Sequence, residues 1–319
     1  MFRPLFIVLV LLLSSCKDDQ PQSIPNLDFR EEMRQFVQGI SAYAKEKKSG
    51  FLIVPQNGQE ILTTDSQVNG PQASPYLTAI DGVGREDLFY GYTGDDIATP
   101  AADRDFLIGF CNIAKANNKP VLVTDYCFTE NKMDDSFTRN TANSYISFAA
   151  NQRELNNIPT YPSPLRNQNS NNIMAIGQAK NFLYLINSAA YASKQALVDA
   201  IKATNYDLVL IDLFFNNESL TANDLEALKR KANGAKRLVI CYMSIGEAED
   251  YRYYWKNLDK GLTLNVNPDW PGNYVVKYWE PAWQQIIFGN DQSYTKRIVD
   301  AGFDGVYLDI IEAYESFEK

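Results

Sequence analysis

The final segment, AGFDGVYLDIIEAYESFEK over residues 301–319, constrains the fold more than any other part of the chain. Asp304 and Gly305 lead into the apolar run Val306-Tyr307-Leu308, which stops at Asp309. A carboxylate at the C-terminal tip of a buried strand is where parallel α/β barrels place their reactive groups. Only ten residues follow Asp309, too few for a covering helix and a further strand. A barrel containing this strand is either cut off here or has its remaining strands earlier in the chain.

Upstream, short apolar runs rich in β-branched residues alternate with helical patterns, which argues for parallel strands in βα units. Strands are predicted at 51–54, 77–81, 120–124, 158–161, 182–186, 208–212, 237–242 and 305–309. Helices are predicted at 29–47, 103–117, 138–156, 194–204, 222–233 and 291–301, with a short one at 279–288. Eight strands match the closure number of the commonest parallel barrel. The rival, a doubly wound open sheet, usually carries a Gly-rich phosphate loop after its first strand, and Gly82-Val83-Gly84 is only a lone glycine pair. Residues 162–180, rich in Pro, Ser and Asn, read as a surface connection. Four strands fall on each side of it, and a four-stranded parallel half would leave open edges. The expectation is therefore one α/β domain over residues 29–319, a single (β/α)8 TIM barrel.

The chain opens with Arg3, an apolar run from Leu5 to Leu13, and small residues before Cys16. This is the layout of a secretory signal over residues 1–15, with a lipobox-like site that makes Cys16 the lipidated residue. The run is too short to span a bilayer permanently. Lys17-Asp18-Asp19 resembles the export tag of Bacteroidetes surface lipoproteins, and residues 16–28 read as lipidated Cys16 and a flexible tether. The expected location is the outer membrane, facing the cell exterior, with membrane attachment through Cys16.

A formal net charge of −9 argues against nucleic acid and favours a neutral or cationic substrate. The chain has no histidine, which excludes Ser–His and Cys–His catalysis and imidazole metal sites. Acid–base chemistry then falls to Asp, Glu, Tyr, Lys or Cys. Cys111, Cys127 and Cys241 match no zinc spacing and read as small buried hydrophobes. No Asp-x-Asp-x-Asp loop is present, so neither a metal nor a cofactor is expected. Tyr and Trp cluster between Tyr251 and Trp283, as sugar-stacking surfaces or as core.

Several segments taken together resemble glycoside hydrolase family 114. They are Leu208–Phe214 (LVLIDLF), Val239–Tyr251 (VICYMSIGEAEDY), Gly302–Asp309 (GFDGVYLD), Phe51–Gly58 (FLIVPQNG), Ile80–Tyr90 (IDGVGREDLFY) and Lys119–Tyr126 (KPVLVTDY). The resemblance implies an endo-α-1,4-polygalactosaminidase-like (β/α)8 barrel of the bacterial and archaeal branch. It also implies an order different from the family's. The family's second half comes first, at 29–161, and its first half follows at 181–319, joined by 162–180. The chain thus resembles a circular permutant, with the helix 29–47 covering the barrel after Asp309. Such rearrangement at exposed connections is commonly tolerated.

Glycoside hydrolysis needs two carboxyl groups flanking the scissile bond. By resemblance, Asp309 matches the family's catalytic aspartate and acts as nucleophile or stabilising carboxylate, and Glu86 matches the catalytic glutamate, the general acid/base. Taken singly, Asp309 fits equally a helix cap and Glu86 an ion pair with Arg85. Asp212 and Asp125 are read as groups that bind sugar hydroxyls or an amino group. Tyr242, Ser244, Glu247, Gln56, Asn57 and Tyr126 are further substrate-binding candidates. Glu312 stands one helical turn beyond Asp309, with rim and structural roles both open. The function implied is hydrolysis of an exopolysaccharide, an α-1,4-linked galactosamine polymer first, by a monomer without cofactor. The alternative is a non-catalytic glycan-binding lipoprotein on the same scaffold.

Overall fold

The computed structural model describes residues 26–318, so the signal segment 1–15 and Cys16 lie outside the described residues. Eight parallel strands form the centre: β1 (Leu52–Pro55), β2 (Val83–Glu86), β3 (Val121–Tyr126), β4 (Ile146–Ala150), β5 (Phe182–Leu185), β6 (Leu208–Ile211), β7 (Leu238–Ser244) and β8 (Gly305–Asp309). Hydrogen-bonded ladders join them as β5-β6-β7-β8-β1 and as β2-β3-β4. The two arcs meet between β1 and β2, where Gln56 bridges Gly84, the Asn57 amide donates to the Gly84 carbonyl (2.9 Å) and the Asp81 amide to the Ile53 carbonyl (2.8 Å). Between β4 and β5 the described residues form no ladder. There Phe148 packs on Phe182 with ring centroids 5.7 Å apart. The strand order β5-β6-β7-β8-β1-β2-β3-β4 is that of a (β/α)8 barrel.

Contacts across the ring show which side chains point inward. Tyr184 on β5 meets Tyr307 on β8 edge-on at 5.4 Å, although two strands lie between them. The Tyr184 hydroxyl also donates to Gln56 Oε1 beyond β1, at 2.9 Å. These chords fill the interior, a packed core rather than a pore. Gly84 is part of the same fit, since a Cβ there would lie 1.9 Å from the Tyr307 hydroxyl. Tyr307 is fully buried and has no room to retreat. Gly84→Ala is therefore expected to cost about 1–3 kcal/mol through overpacking, read as a lower urea midpoint at unchanged m-value.

The helices α1 (Phe29–Lys47), α2 (Ser74–Ala79), α3 (Ala101–Ala116), α4 (Glu130–Ala142), α5 (Lys194–Lys202), α6 (Ala222–Leu228), α7 (Pro281–Ile287) and α8 (Tyr294–Ala301) complete the chain's regular elements, with shorter 3-10 turns and hairpins between. In α1 the Asp28 side chain caps the Glu31 amide, with Glu31 and Glu32 in the first turn and Lys45 and Lys47 in the last, each end matching the helix dipole. Its buried stripe is Met33, Phe36, Val37, Ile40 and Ala44, and each large apolar side chain contributes about 1.5–3 kcal/mol on burial. α1 packs against α8 and α2. Its first turn reaches the other end of the chain, where Arg30 pairs with Glu318 at 2.7 Å and the Phe29 carbonyl accepts from Tyr278. The first helix thus packs against α2, α8 and the turn Ile311–Ser316 that follows β8.

Three expectations need correction. Residues 74–79 are helix, not part of a strand at 77–81, and the strand starts at Val83. Pro75 in the first turn is preset for helix, while Tyr76 and Leu77 are buried on its inner face. The strand expected at 158–161 is absent. The fourth strand is instead Ile146–Ala150, inside the segment read as helix 138–156. Every residue of that strand is buried, so it carries no polar alternation to mark it. The three cysteines are buried and unpaired, as expected. Among the described residues no helix is long and apolar enough to cross a membrane.

Candidate active site

At the C-terminal ends of the strands lies a cavity of about 780 Å³. Alternation along each strand decides what reaches it. Tyr307 faces inward, so Asp309 two residues on does too. The same parity turns Gln56, Glu86, Tyr126 and Tyr242 inward, and all of them line the cavity. Asp309 and Glu86 end β8 and β2, the two neighbours of β1, so at about 4.8 Å per strand their backbones lie roughly 10 Å apart across Gln56.

Local backbone turns fix these tips. Asn57, Asp87 and Ile310 each follow an inward-facing site residue, and each has a left-handed φ, of 57°, 58° and 60°. For β-branched Ile310 this conformation is costly. It forces the chain to turn away just after Asp309 and leaves that carboxylate at the strand tip.

Both carboxylates are held by donors. Glu86 Oε1 accepts from the Tyr126 hydroxyl, and Oε2 accepts from the Gln56 and Asn57 amides. Asn57 also accepts from the Glu86 amide at 3.0 Å, closing a two-way clasp. Asp309 Oδ2 accepts from the Tyr242 hydroxyl at 2.7 Å. Burial pushes Glu86 above its ordinary range, and the charge of Asp309 adds to this, against the lowering effect of Tyr126 and Asn57. Burial likewise raises Asp309 to about 6, against the Tyr242 hydrogen bond. The two interact, so any titration belongs to the pair.

Part of the remaining wall comes from an insertion after β7. Antiparallel strands Glu247–Glu249, Asn273–Val276 and Thr263–Val266 form a small sheet. It supplies Glu247, Glu249, Asn267, Asp269 and Asn273, with the half-exposed Trp270 at the rim. Arg252, 7% exposed, holds two of the acids. It forks onto Asp212 at 2.9 and 2.6 Å and onto Glu249 at 2.6 and 3.0 Å. Arg153 lies 3.9 Å over the Tyr126 ring and pairs with Asp87, which fixes Tyr126 behind Glu86. In all, eight carboxylates and two arginines line the cavity.

Most of the sequence candidates converge here: Asp309, Glu86, Asp212, Tyr242, Glu247, Gln56, Asn57, Tyr126 and Glu312 all line it. Asp125 does not. It points outward from β3, fully buried, and accepts from the Phe89 and Tyr90 amides and from Ser136 and Asn140 of α4. Its parity is opposite to that of Tyr126, and its oxygens tie the barrel to α4 instead of meeting ligand. Ser244 is also withdrawn, its hydroxyl donating to the Glu247 carbonyl at 3.1 Å while 1% exposed. Sequence reading missed Tyr184, Arg153, Glu249 and Arg252, while Trp270 falls in the cluster of Tyr and Trp read as sugar-stacking surfaces or core. For Tyr184 the strand parity was readable, but the others depend on how the insertion and the β4–β5 connection fold back.

Glu312 stands on the turn Ile311–Ser316, its Oε2 without a hydrogen-bond partner among the described residues. Burial, reinforced by Asp309, raises it to about 8. A raised carboxyl binds protons in the folded state that the unfolded chain releases, so its contribution is present below about 4.5 and lost as pH rises through about 8. Glu312→Gln is therefore expected to raise Tm above pH 8 and to leave it little changed near pH 5, as thermal unfolding across that range will show.

Among known sequences, the model of glycoside-hydrolase family GH114 matches residues 163–319. An uncharacterized protein of Methanocaldococcus jannaschii, MJ1477, is 39% identical over 156 residues, 46% of this chain and 42% of that protein. Uncharacterized proteins of Deinococcus radiodurans and Thermotoga maritima are 38% and 37% identical over 129 and 120 residues, which cover 39% and 36% of this chain and 39% and 35% of theirs. The chain thus spans about two-fifths of the curated relatives it matches. A crystal structure of Aspergillus fumigatus Ega3 in complex with galactosamine aligns with a TM-score of 0.28 at 25% identity, over 42% of this chain and 43% of that one. Residues 163–319, which carry Asp212, Tyr242, Glu247 and Asp309, are thus the part of the chain that is similar to glycoside-hydrolase family GH114.

Proposed function

We propose that this protein hydrolyses glycosidic bonds in an exopolysaccharide, with an α-1,4-linked galactosamine polymer as its substrate, through Asp309 and Glu86. One observation carries this reading: two carboxylates end the strands on either side of β1 and face a single cavity, each raised towards the range where one can hold a proton. Glu86 acts as general acid, giving its proton to the departing glycosidic oxygen, and Asp309 stabilises the positive charge that develops at the anomeric carbon; a water molecule then bonds to that carbon and returns a proton to Glu86, now the general base. Gln56, Asn57 and Tyr126 orient Glu86, and Tyr242 orients Asp309. The family match includes Asp309 but stops short of Glu86, whose role rests on the geometry.

The excess of carboxylates in the cavity suits a cationic amino sugar, and Trp270 offers a face for ring stacking. Residues 29–161 then supply the family's other strands in permuted order, a reading supported by the packing of α1 on the turn that follows β8. Cys16 is proposed as the lipid anchor that displays a monomeric enzyme on the outer membrane, to be tested by detergent-phase partition of wild type and Cys16→Ala. The functional test is release of reducing ends from partly deacetylated galactosamine polymer, with a neutral galactan as control. Hydrolysis of the amino polymer alone is expected. Binding of that polymer without any cleavage favours the non-catalytic alternative.

A further inference from the structure

A second cavity, of about 200 Å³, opens beside the first between Glu60, Arg85, Tyr92, Asp103, Phe106 and Glu315. Its inner wall is made of Asn57 and Glu312, and both of these also line the main cavity. The two spaces therefore meet at a threshold beside the carboxylate pair. Three features of the second cavity bear on what it takes. Tyr92 and Phe106 are 48% and 46% exposed, and Phe106 is braced edge-on by Phe110 at 5.2 Å. Four carboxylates, Glu60, Asp103, Glu312 and Glu315, outnumber the lone Arg85. At the threshold, Glu312 Oε2 has no hydrogen-bond partner among the described residues.

We infer that the second cavity is a sugar subsite on the far side of the cleavage point, where Tyr92 and Phe106 give a sugar ring an apolar face and Glu312 accepts from the substrate's amino group. The inference rests on the proposed function above and extends it. A chain seated in both cavities passes the Glu86–Asp309 pair with units bound on each side, so cleavage falls within the chain. A buried acceptor without a partner rejects a ligand that cannot donate to it more strongly than an apolar wall would. Hydroxyl and N-acetyl groups can donate as well, so what sets the free amine apart here is its positive charge, which Glu312 and the neighbouring carboxylates favour over the neutral N-acetylated or hydroxyl form.

The test is binding of α-1,4-galactosamine oligomers from two to eight units, measured by calorimetry on the Asp309→Asn protein. Affinity is expected to rise with length until the second cavity is filled. Adding Phe106→Ala or Tyr92→Ala should weaken the longest oligomer at least tenfold more than the dimer. Adding Glu312→Gln should reduce the preference for the free amine over the N-acetylated oligomer at least tenfold, an effect that general loosening of the fold would not produce. Affinity independent of length, or equal losses at all lengths, overturns the inference while leaving hydrolysis by the wild type intact. Failure of the wild type to cleave the polymer overturns the proposed function, and the binding series still decides this point.

Discussion

Asp309→Asn and Glu86→Gln should each lower kcat on galactosamine polymer by roughly 10²–10⁴-fold, the range for removing a positioned acid or base. Both substitutions keep the shape of the side chain, and both remove a charge that burial penalises. Neither should therefore reduce Tm. A loss of rate without a loss of stability separates chemistry from folding, and circular dichroism beside the reducing-end assay reads both. Because the two carboxylates are coupled, the pH–rate profile of the wild type should be bell-shaped, its limbs belonging to the pair. Each single variant should lose one limb. Equal activity in wild type and both variants would remove the site assignment.

The second large effect is on stability. Arg252 is the sole cation bridging Asp212 and Glu249 among their described ion pairs. Its removal leaves two carboxylates in the cavity wall without a counter-charge. Breaking a buried pair from one side costs about 3–5 kcal/mol, which in a domain of this size corresponds to a fall in Tm on the order of 10 °C. Arg252→Ala should show that loss, and adding Glu249→Gln with Asp212→Asn should recover part of it. Lysine cannot reproduce the fork onto two acids, so Arg252→Lys should fall between. A variant with wild-type Tm would show that the triad contributes nothing to the fold.

The parts of this site readable from sequence share one property. Gly305–Asp309 and Leu208–Ile211 are short apolar runs ending at or before an acid, and the acid's position at a strand tip follows from the run itself. The QNG and GRED segments were legible in the same way, through their resemblance and their place after apolar runs. Where the pattern was silent, reading failed for physical reasons. A strand buried on both faces, such as Ile146–Ala150, shows no alternation and merges with the helical pattern before it. Asp125 and Tyr126 are adjacent in sequence yet face opposite sides of β3, and only Tyr126 reaches the cavity. Parity could have separated them once one inward residue was fixed. Arg252, Glu249 and Trp270 belong to an insertion whose placement depends on tertiary packing, and no local signal brings them to the strand tips.

A structure of the Asp309→Asn protein with a bound galactosamine oligomer tests the central claim most directly. The expected complex has a glycosidic oxygen within about 3 Å of a Glu86 carboxyl oxygen, with the adjoining anomeric carbon facing residue 309 and sugar units on both sides of β1. An oligomer seated away from residues 86 and 309, or lying with neither side chain turned to a glycosidic bond, would contradict it.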